Sequence, residues 1–360
     1  MQMKKIHAKV AVVSLAAILS AAALSGCVEQ AGGGTASTSG AYKIAFLMPD
    51  LASTRYEQQD KPLFEAKVKE LCADCTVLYS NANASADTQQ QQANSAIAQG
   101  VNAIVIDAVD STAAAGIVVA ANAASIPIIA YDRPIPTQKA DYYVSFDNEG
   151  IGKAIAQSLV DKVKATDPAG SILIVNGSPT DAAAGLIKKG IHEAVDSSGL
   201  TVLAEFDTPA WDPAQAQNWA SGQITQFGTK INGVVAANDG TGGGVIAAFK
   251  AAGTSPVPPV TGNDAEVAAA QRILAGTQYN TISKPISIVA DAAAEVAYSF
   301  AQGTKVDGKA TLYDTPSQLF NPDVVTLDNI KEILFDSKIM TAAEVCTGEY
   351  AAACTTAGIQ

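Results

Sequence analysis

Histidine is nearly missing: two occur in 360 residues, His7 and His192. His7 stands in a basic leader, so the folded chain keeps one. A Ser-His-Asp triad and a histidine-rich metal site are therefore excluded. No GxxxxGK[ST] phosphate loop occurs, and Gly240-Thr241-Gly242-Gly243-Gly244 has Val245 where a dinucleotide fingerprint needs its third glycine. Positive charge is short: 23 Lys and Arg face 35 Asp and Glu, for a net charge of -12. That balance argues against nucleic acid and anionic membrane surfaces as partners. Beyond the leader, no apolar run is long enough to span a bilayer. Aromatics are only 6% of the chain, while alanine is abundant, which suits helices packed closely on sheets.

The leader itself is informative. Lys4, Lys5 and Lys9 precede the apolar run Val10 to Leu24, followed by Leu24-Ser25-Gly26-Cys27. Residues 1–27 read as an export signal, and the small residues before Cys27 resemble a bacterial lipoprotein box. Cys27 is then the lipidated first residue, and 28–41 a flexible Gly/Ser/Thr tether. Export permits disulfides. Cys72, Cys75, Cys346 and Cys354 allow three connectivities, of which the two local pairs are favoured. Cys72 and Cys75 close a helix rather than open one, against a catalytic thiol role.

Beyond the tether, strand and helix patterns alternate. Apolar runs at 42–48, 76–79, 103–107 and 126–131 are each separated by a helical stretch. The pattern restarts at 142–146 and runs through 171–175, 201–206 and 233–237. Helices are expected at 242–252 and 265–274, the latter opened by Asp264, then at 286–301. The fold class is α/β, with two doubly wound parallel-sheet halves.

Ligands bind beyond the carboxyl ends of strands in such sheets. The run Ile126–Tyr131 delivers Asp132 and Arg133 there, an acceptor pair beside a five-donor fork. Polar residues recur at other strand ends: Asp50, Arg55 and Tyr56; Asn176, Ser178 and Asp181; Asn238 and Asp239; Asn263 and Asp264; then Lys284. Trp211 adds an apolar plate on which a sugar ring would stack. Asp132, Asp239 and Asp264 could also serve as the paired carboxylates of a glycosidase, the enzyme alternative.

The stretches AYDRP (130–134), YVSFDNEGIGK (143–153), NGSPTD (176–181), VVAANDGTGGGVIAA (234–248) and 261–297 resemble the periplasmic sugar-binding proteins of ABC importers. The likeness is to the ribose/galactose-binding class, and within it the D-xylose branch. It implies a type I binding protein: two lobes joined by a three-crossover hinge, near Phe146, Lys284 and Tyr313. One lobe would take 42–146 plus 285–313, the other 147–284 plus 314–360. By position it implies a monosaccharide ligand set of Arg55, Tyr56, Asp132, Arg133, Asp181, Trp211, Asn238, Asp264 and Lys284. Ala182, Ala183 and Ala184 stand where xylose binders carry amides. It further implies a non-enzymatic monomer without cofactor, lipid-anchored outside the cell, that delivers sugar to an ABC permease.

Overall fold

The computed structural model describes residues 41–360. The export signal, Cys27 and all but the last residue of the tether lie outside the described residues.

β1 (Lys43–Met48), α1 (Lys61–Leu71), β2 (Thr76–Asn81), α2 (Ala86–Ala98), β3 (Ala103–Ile106), α3 (Ala114–Ala123), β4 (Ile128–Tyr131) and β5 (Tyr142–Phe146) build the first lobe. Alternate residues of β1 serve opposite faces, as the two-residue period of a strand requires. Ile44, Phe46 and Met48 pack with Phe64 and Val68 of α1. Ala45 and Leu47 pack with Ala93 of α2 and Ile117 of α3.

The second lobe comprises α4 (Asn148–Lys164), β6 (Ser171–Asn176), α5 (Ala182–Val195), β7 (Thr201–Asp207), α6 (Pro213–Phe227), β8 (Gly233–Ala236), α7 (Asp239–Ala251), α8 (Val267–Leu274) and β9 (Asn280–Ser283). Its parallel sheet runs β7-β6-β8, and Val260 bridges to Val234. Ile172 and Ile174 face α4 and α5, whereas Leu173 and Val175 face α6 and α7.

The chain then returns to the first lobe through α9 (Ile286–Ala301), β10 (Ala310–Leu312) and β11 (Thr315–Phe320), completing a sheet of order β10-β11-β5-β4-β3-β1-β2. It ends in the second lobe with β12 (Asp323–Thr326), antiparallel to β9, and with α10 (Ala342–Val345) and α11 (Ala351–Thr356). The third crossing therefore lies after Phe320, not near Tyr313. Tyr313 and Asp314, both at positive φ, form a hairpin turn between β10 and β11. β11 then pairs in parallel with β5, Ser317 beside Tyr143 and Phe320 beside Phe146.

A second departure concerns Asp264. It does not open the next helix, because its φ of 103° and the 49° of Ala265 are left-handed. Glu266 takes the cap position and α8 starts at Val267. Bonds join Cys72 to Cys75 and Cys346 to Cys354. Cys72 caps the C-terminus of α1. The second pair ties the last helix to a small core of Leu334, Met340 and Val345 against α8.

α4 and α5 approach through glycine. A Cβ on Gly152 would fall on the Ile187 carbonyl, and one on Gly190 on the Glu149 carbonyl. Gly185, on the exposed face of α5, has open space around it. Gly190→Val should therefore cost about 3 kcal/mol by overpacking, and Gly185→Ala should stabilise by about 0.5–1 kcal/mol through chain entropy. Urea titration of both variants checks this; equal midpoints would contradict the packing.

Candidate functional site

All nine residues of the sequence-derived set line one cavity between the lobes. Asp132 and Arg133 follow β4. Asp132 sits at φ 58°, a left-handed conformation that Asp tolerates better than most residues. That turn projects the two side chains to different parts of the site.

Arg133 is buried and bonded on every side. Nη1 donates to the Ala108 carbonyl at 3.0 Å, and Nη2 to Asp50 Oδ2 at 2.9 Å and to the Tyr56 hydroxyl at 3.1 Å. Nε lies 3.2 Å from Asp107 and 3.2 Å from Asp181. Asp50 and Asp107 come from the first lobe, Asp181 from the second. Burial pushes the Asp107 and Asp181 carboxyls up, opposed by the Arg133 charge.

Arg55 holds the other half. It pairs with Asp132 at 2.9 Å, Asp60 at 3.2 Å and Asp264 at 3.7 Å. Lys284, just past β9, reaches Asp264 at 2.6 Å. Burial would raise the Asp132 carboxyl, but Arg55, Lys284 and Arg133 together outweigh it and hold it below its usual range. Asp132 is thus an ionised acceptor whose partners already sit around it.

The second lobe supplies the apolar wall. Trp211 is buried, its indole pressed on Gly177, where no Cβ would fit. Trp211 Nε1 donates to Asp181 Oδ2 at 3.0 Å. Asp181 also caps α5 by accepting from Ala183 N at 2.7 Å. Asn238 caps α7 through Thr241 N at 2.9 Å and still lines the cavity. Trp219, by contrast, stacks on Phe206 at 5.4 Å, away from the site.

Five lining residues fall outside the expected set: Ser53, Asn148, Ala183, Ile187 and Asn263. Asn263 was visible as a strand-end amide. Of Asp147 and Asn148, either of which suits a helix cap, Asp147 takes that role and Asn148 donates to Ser145 Oγ and Tyr143 Oη. Ala183 and Ile187 are one helical turn apart on the buried face of α5, and nothing in their pattern separates a core face from a cavity wall.

Asp239 is not in the cavity. Its carboxylate accepts from Gln278 Nε2 at 2.7 Å, Thr281 Oγ1 at 2.9 Å and Glu266 N at 2.9 Å. It is a structural clamp between α7 and β9, so only Asp132 and Asp264 remain of the three carboxylates weighed for a glycosidase. His192, further along α5, bonds Asp196 and Glu205 and does not line the cavity. Among the described residues no His/Cys/Asp/Glu cluster is arranged for a metal ion.

Asp60 shows how burial tunes this network. Its Oδ1 accepts from the Tyr131 hydroxyl at 2.6 Å and from Arg55, while Oδ2 has no hydrogen-bond partner among the described residues. Burial raises its carboxyl to about 6 despite Arg55. The folded state thus holds this proton more tightly than the unfolded one. Its stabilising contribution is full below about pH 4 and is lost as pH rises to about 6. Relative to Asp60→Asn, the native protein should lose up to about 3 kcal/mol across that window. Thermal unfolding at pH 4, 5, 6 and 7 measures it; parallel profiles would refute it.

Three comparisons bear on this architecture. Residues 44–305 match the periplasmic binding protein domain. The D-xylose-binding periplasmic protein of Escherichia coli (strain K12) is 36% identical over 298 residues, 81% of this chain and 88% of that one. The D-xylose-binding periplasmic protein of Haemophilus influenzae is 31% identical over 311 residues, 84% of this chain and 92% of that one. Among solved structures, an ABC transporter solute binding protein of Clostridium phytofermentans with bound β-D-glucose superposes with a TM-score of 0.77 at 27% identity, covering 84% of this chain and 99% of that one. These relatives are sugar-binding transport proteins rather than enzymes. The chain belongs to the periplasmic binding protein family, as a sugar-binding component of an ABC transporter.

Proposed function

We propose that the protein is an extracytoplasmic lipoprotein that binds one D-xylose in the interlobe cavity and delivers it to an ABC permease. The carrying observation is the composition of that cavity. Fixed donors from Arg55, Arg133 and Lys284 alternate with acceptors from Asp132, Asp181 and Asp264, beside the indole of Trp211. A hydroxyl is both donor and acceptor, so a ring of hydroxyls satisfies such alternation on every side. The indole covers the apolar C–H face of the ring.

Xylose is favoured over ribose by Lys284, which stands where ribose binders carry an amide, and over other sugars by the identity to the two D-xylose-binding relatives. Ala183 and Ile187 offer no hydrogen bonds, so that side of the cavity selects by shape. Arg55, Tyr56, Asp132, Arg133, Asn238, Asp264 and Lys284 are assigned to the hydroxyls, and Trp211 to the ring face. Asp181 orients Trp211 and Arg133. The protein acts as a monomer, with Cys27 lipidated and 28–41 as the tether.

Calorimetry across D-xylose, D-ribose, D-glucose and a disaccharide tests the assignment. D-xylose should bind one to one and tightest; tight binding of the disaccharide alone would overturn it. Trp211→Ala should weaken binding by about 2 kcal/mol or more, as for a buried aromatic anchor, whereas Trp219→Phe should leave it nearly unchanged. Separately, Cys27→Ala should release the protein from the membrane fraction, because the lipid supplies most of the membrane affinity. Retention on membranes would refute the anchor.

A further inference from the structure

Ser111 lies in the loop between β3 and α3, on the first lobe, and does not line the cavity. It is buried, and both its bonds cross to the second lobe. Its N–H donates to the Thr180 carbonyl at 2.9 Å. Its Oγ accepts from Ala182 N at 3.0 Å. Thr180 and Ala182 flank Asp181, the residue that holds Trp211 and meets Arg133.

Ala182 N is the first amide of α5, one of those that no helix satisfies internally. Two of the amides that follow are satisfied within the lobe. Ala183 N donates to Asp181 Oδ1 at 2.7 Å, and Gly185 N to the Asp181 carbonyl at 3.2 Å. Only the first is capped from the opposite lobe. The Ser111 bonds therefore exist when the lobes meet and break when they part. Unlike Arg133, which keeps Asp50 and Asp107 in its own lobe, Ser111 makes both of its bonds across the gap.

We propose that Ser111 is a latch, a positioning residue that caps α5 in trans and sets the lifetime of the closed, sugar-bound state without touching sugar. This rests on the reading above that the cavity binds sugar. Bonds made only on closure slow release more than they change encounter. One buried hydrogen bond to a helix amide corresponds to roughly a 5- to 10-fold effect.

The partner side offers an independent test. Ala182 is the first helical residue, where proline is tolerated, and Asp181 before it is extended, as a residue preceding proline should be. Ala182→Pro keeps the helical geometry of α5 but deletes the donor and sets the ring Cδ against Ser111 Oγ, so it removes the contact at least as fully as Ser111→Ala. Release and association of radiolabelled D-xylose would be measured for the wild type, Ser111→Ala, Ala182→Pro and the double variant. Ser111→Ala should release sugar roughly 5- to 10-fold faster and Ala182→Pro at least as fast, with association changed less than twofold for Ser111→Ala, and the double should be no worse than Ala182→Pro alone. Unchanged release, or losses that multiply in the double, would overturn the latch. If the wild type binds no D-xylose, the ligand assignment fails by itself. The latch is then decided by small-angle scattering, where Ser111→Ala should enlarge the radius of gyration of the sugar-free protein; equal radii would overturn it.

Discussion

The site depends on one buried guanidinium. Arg133 is almost wholly out of water, which by itself costs several kcal/mol. The cost is offset by acceptors from three separate segments: Asp50 after β1, Asp107 and Ala108 after β3, and Asp181 after β6. No fork other than arginine's reaches all of them at fixed angles. The loops at the carboxyl edge of the first sheet are therefore fixed relative to one another by a charge at their centre. Gln89 adds a second tie from α2, donating to the Asp107 carbonyl at 2.7 Å and accepting from Val109 N at 2.9 Å.

Because the pairing is divided between the lobes, it can regulate their separation without dominating stability. Parting the lobes would return Asp181 to water and leave Arg133 with Asp50 and Asp107. The Coulombic loss is then largely compensated by hydration. A ligand that adds a few kcal/mol of its own can shift such a near-balanced equilibrium. Thr54, which donates to Glu266 at 3.3 Å across the same gap, is a contact of the same divided kind.

Much of this is legible in the sequence. Strand ends are visible where apolar runs stop, and in a parallel sheet those ends share one edge, so topology groups Arg55 with Asp132 in one lobe and Asn238 with Asp264 in the other, and the family resemblance joins the two groups. What escaped has particular causes. β11 follows a turn made by Tyr313 and Asp314, neither of them glycine, so the hairpin gave no signal and the crossing was placed seven residues early. Asp239 and Asp264 both follow second-lobe strands, yet one turns inward to Thr281 and Gln278 and the other outward to Lys284. Only the left-handed backbone at Asp264 and Ala265 separates them. Ile187 looks like core in any amphipathic reading, because a cavity wall and a core face have the same periodicity.

The positions of Asp264 and Lys284 carry the argument one step further. Lys284 lies on the crossing between β9 and α9, and Asp264 reaches it at 2.6 Å while the Asp264 amide bonds the Ile282 carbonyl at 3.3 Å. Cavity and crossing thus share residues. Such a lysine must move when the chain at that crossing bends, and its carboxylate partner cannot stay in place around a ligand unless the crossing holds one angle. Asp264 occupies a backbone region that few side chains adopt, and it is held there by strand β9, by Lys284 and by Arg55 of the opposite lobe. Strain of that kind persists only where surrounding contacts over-determine it. Two of those contacts end on cavity side chains, so filling the cavity and fixing the crossing angle are the same physical event.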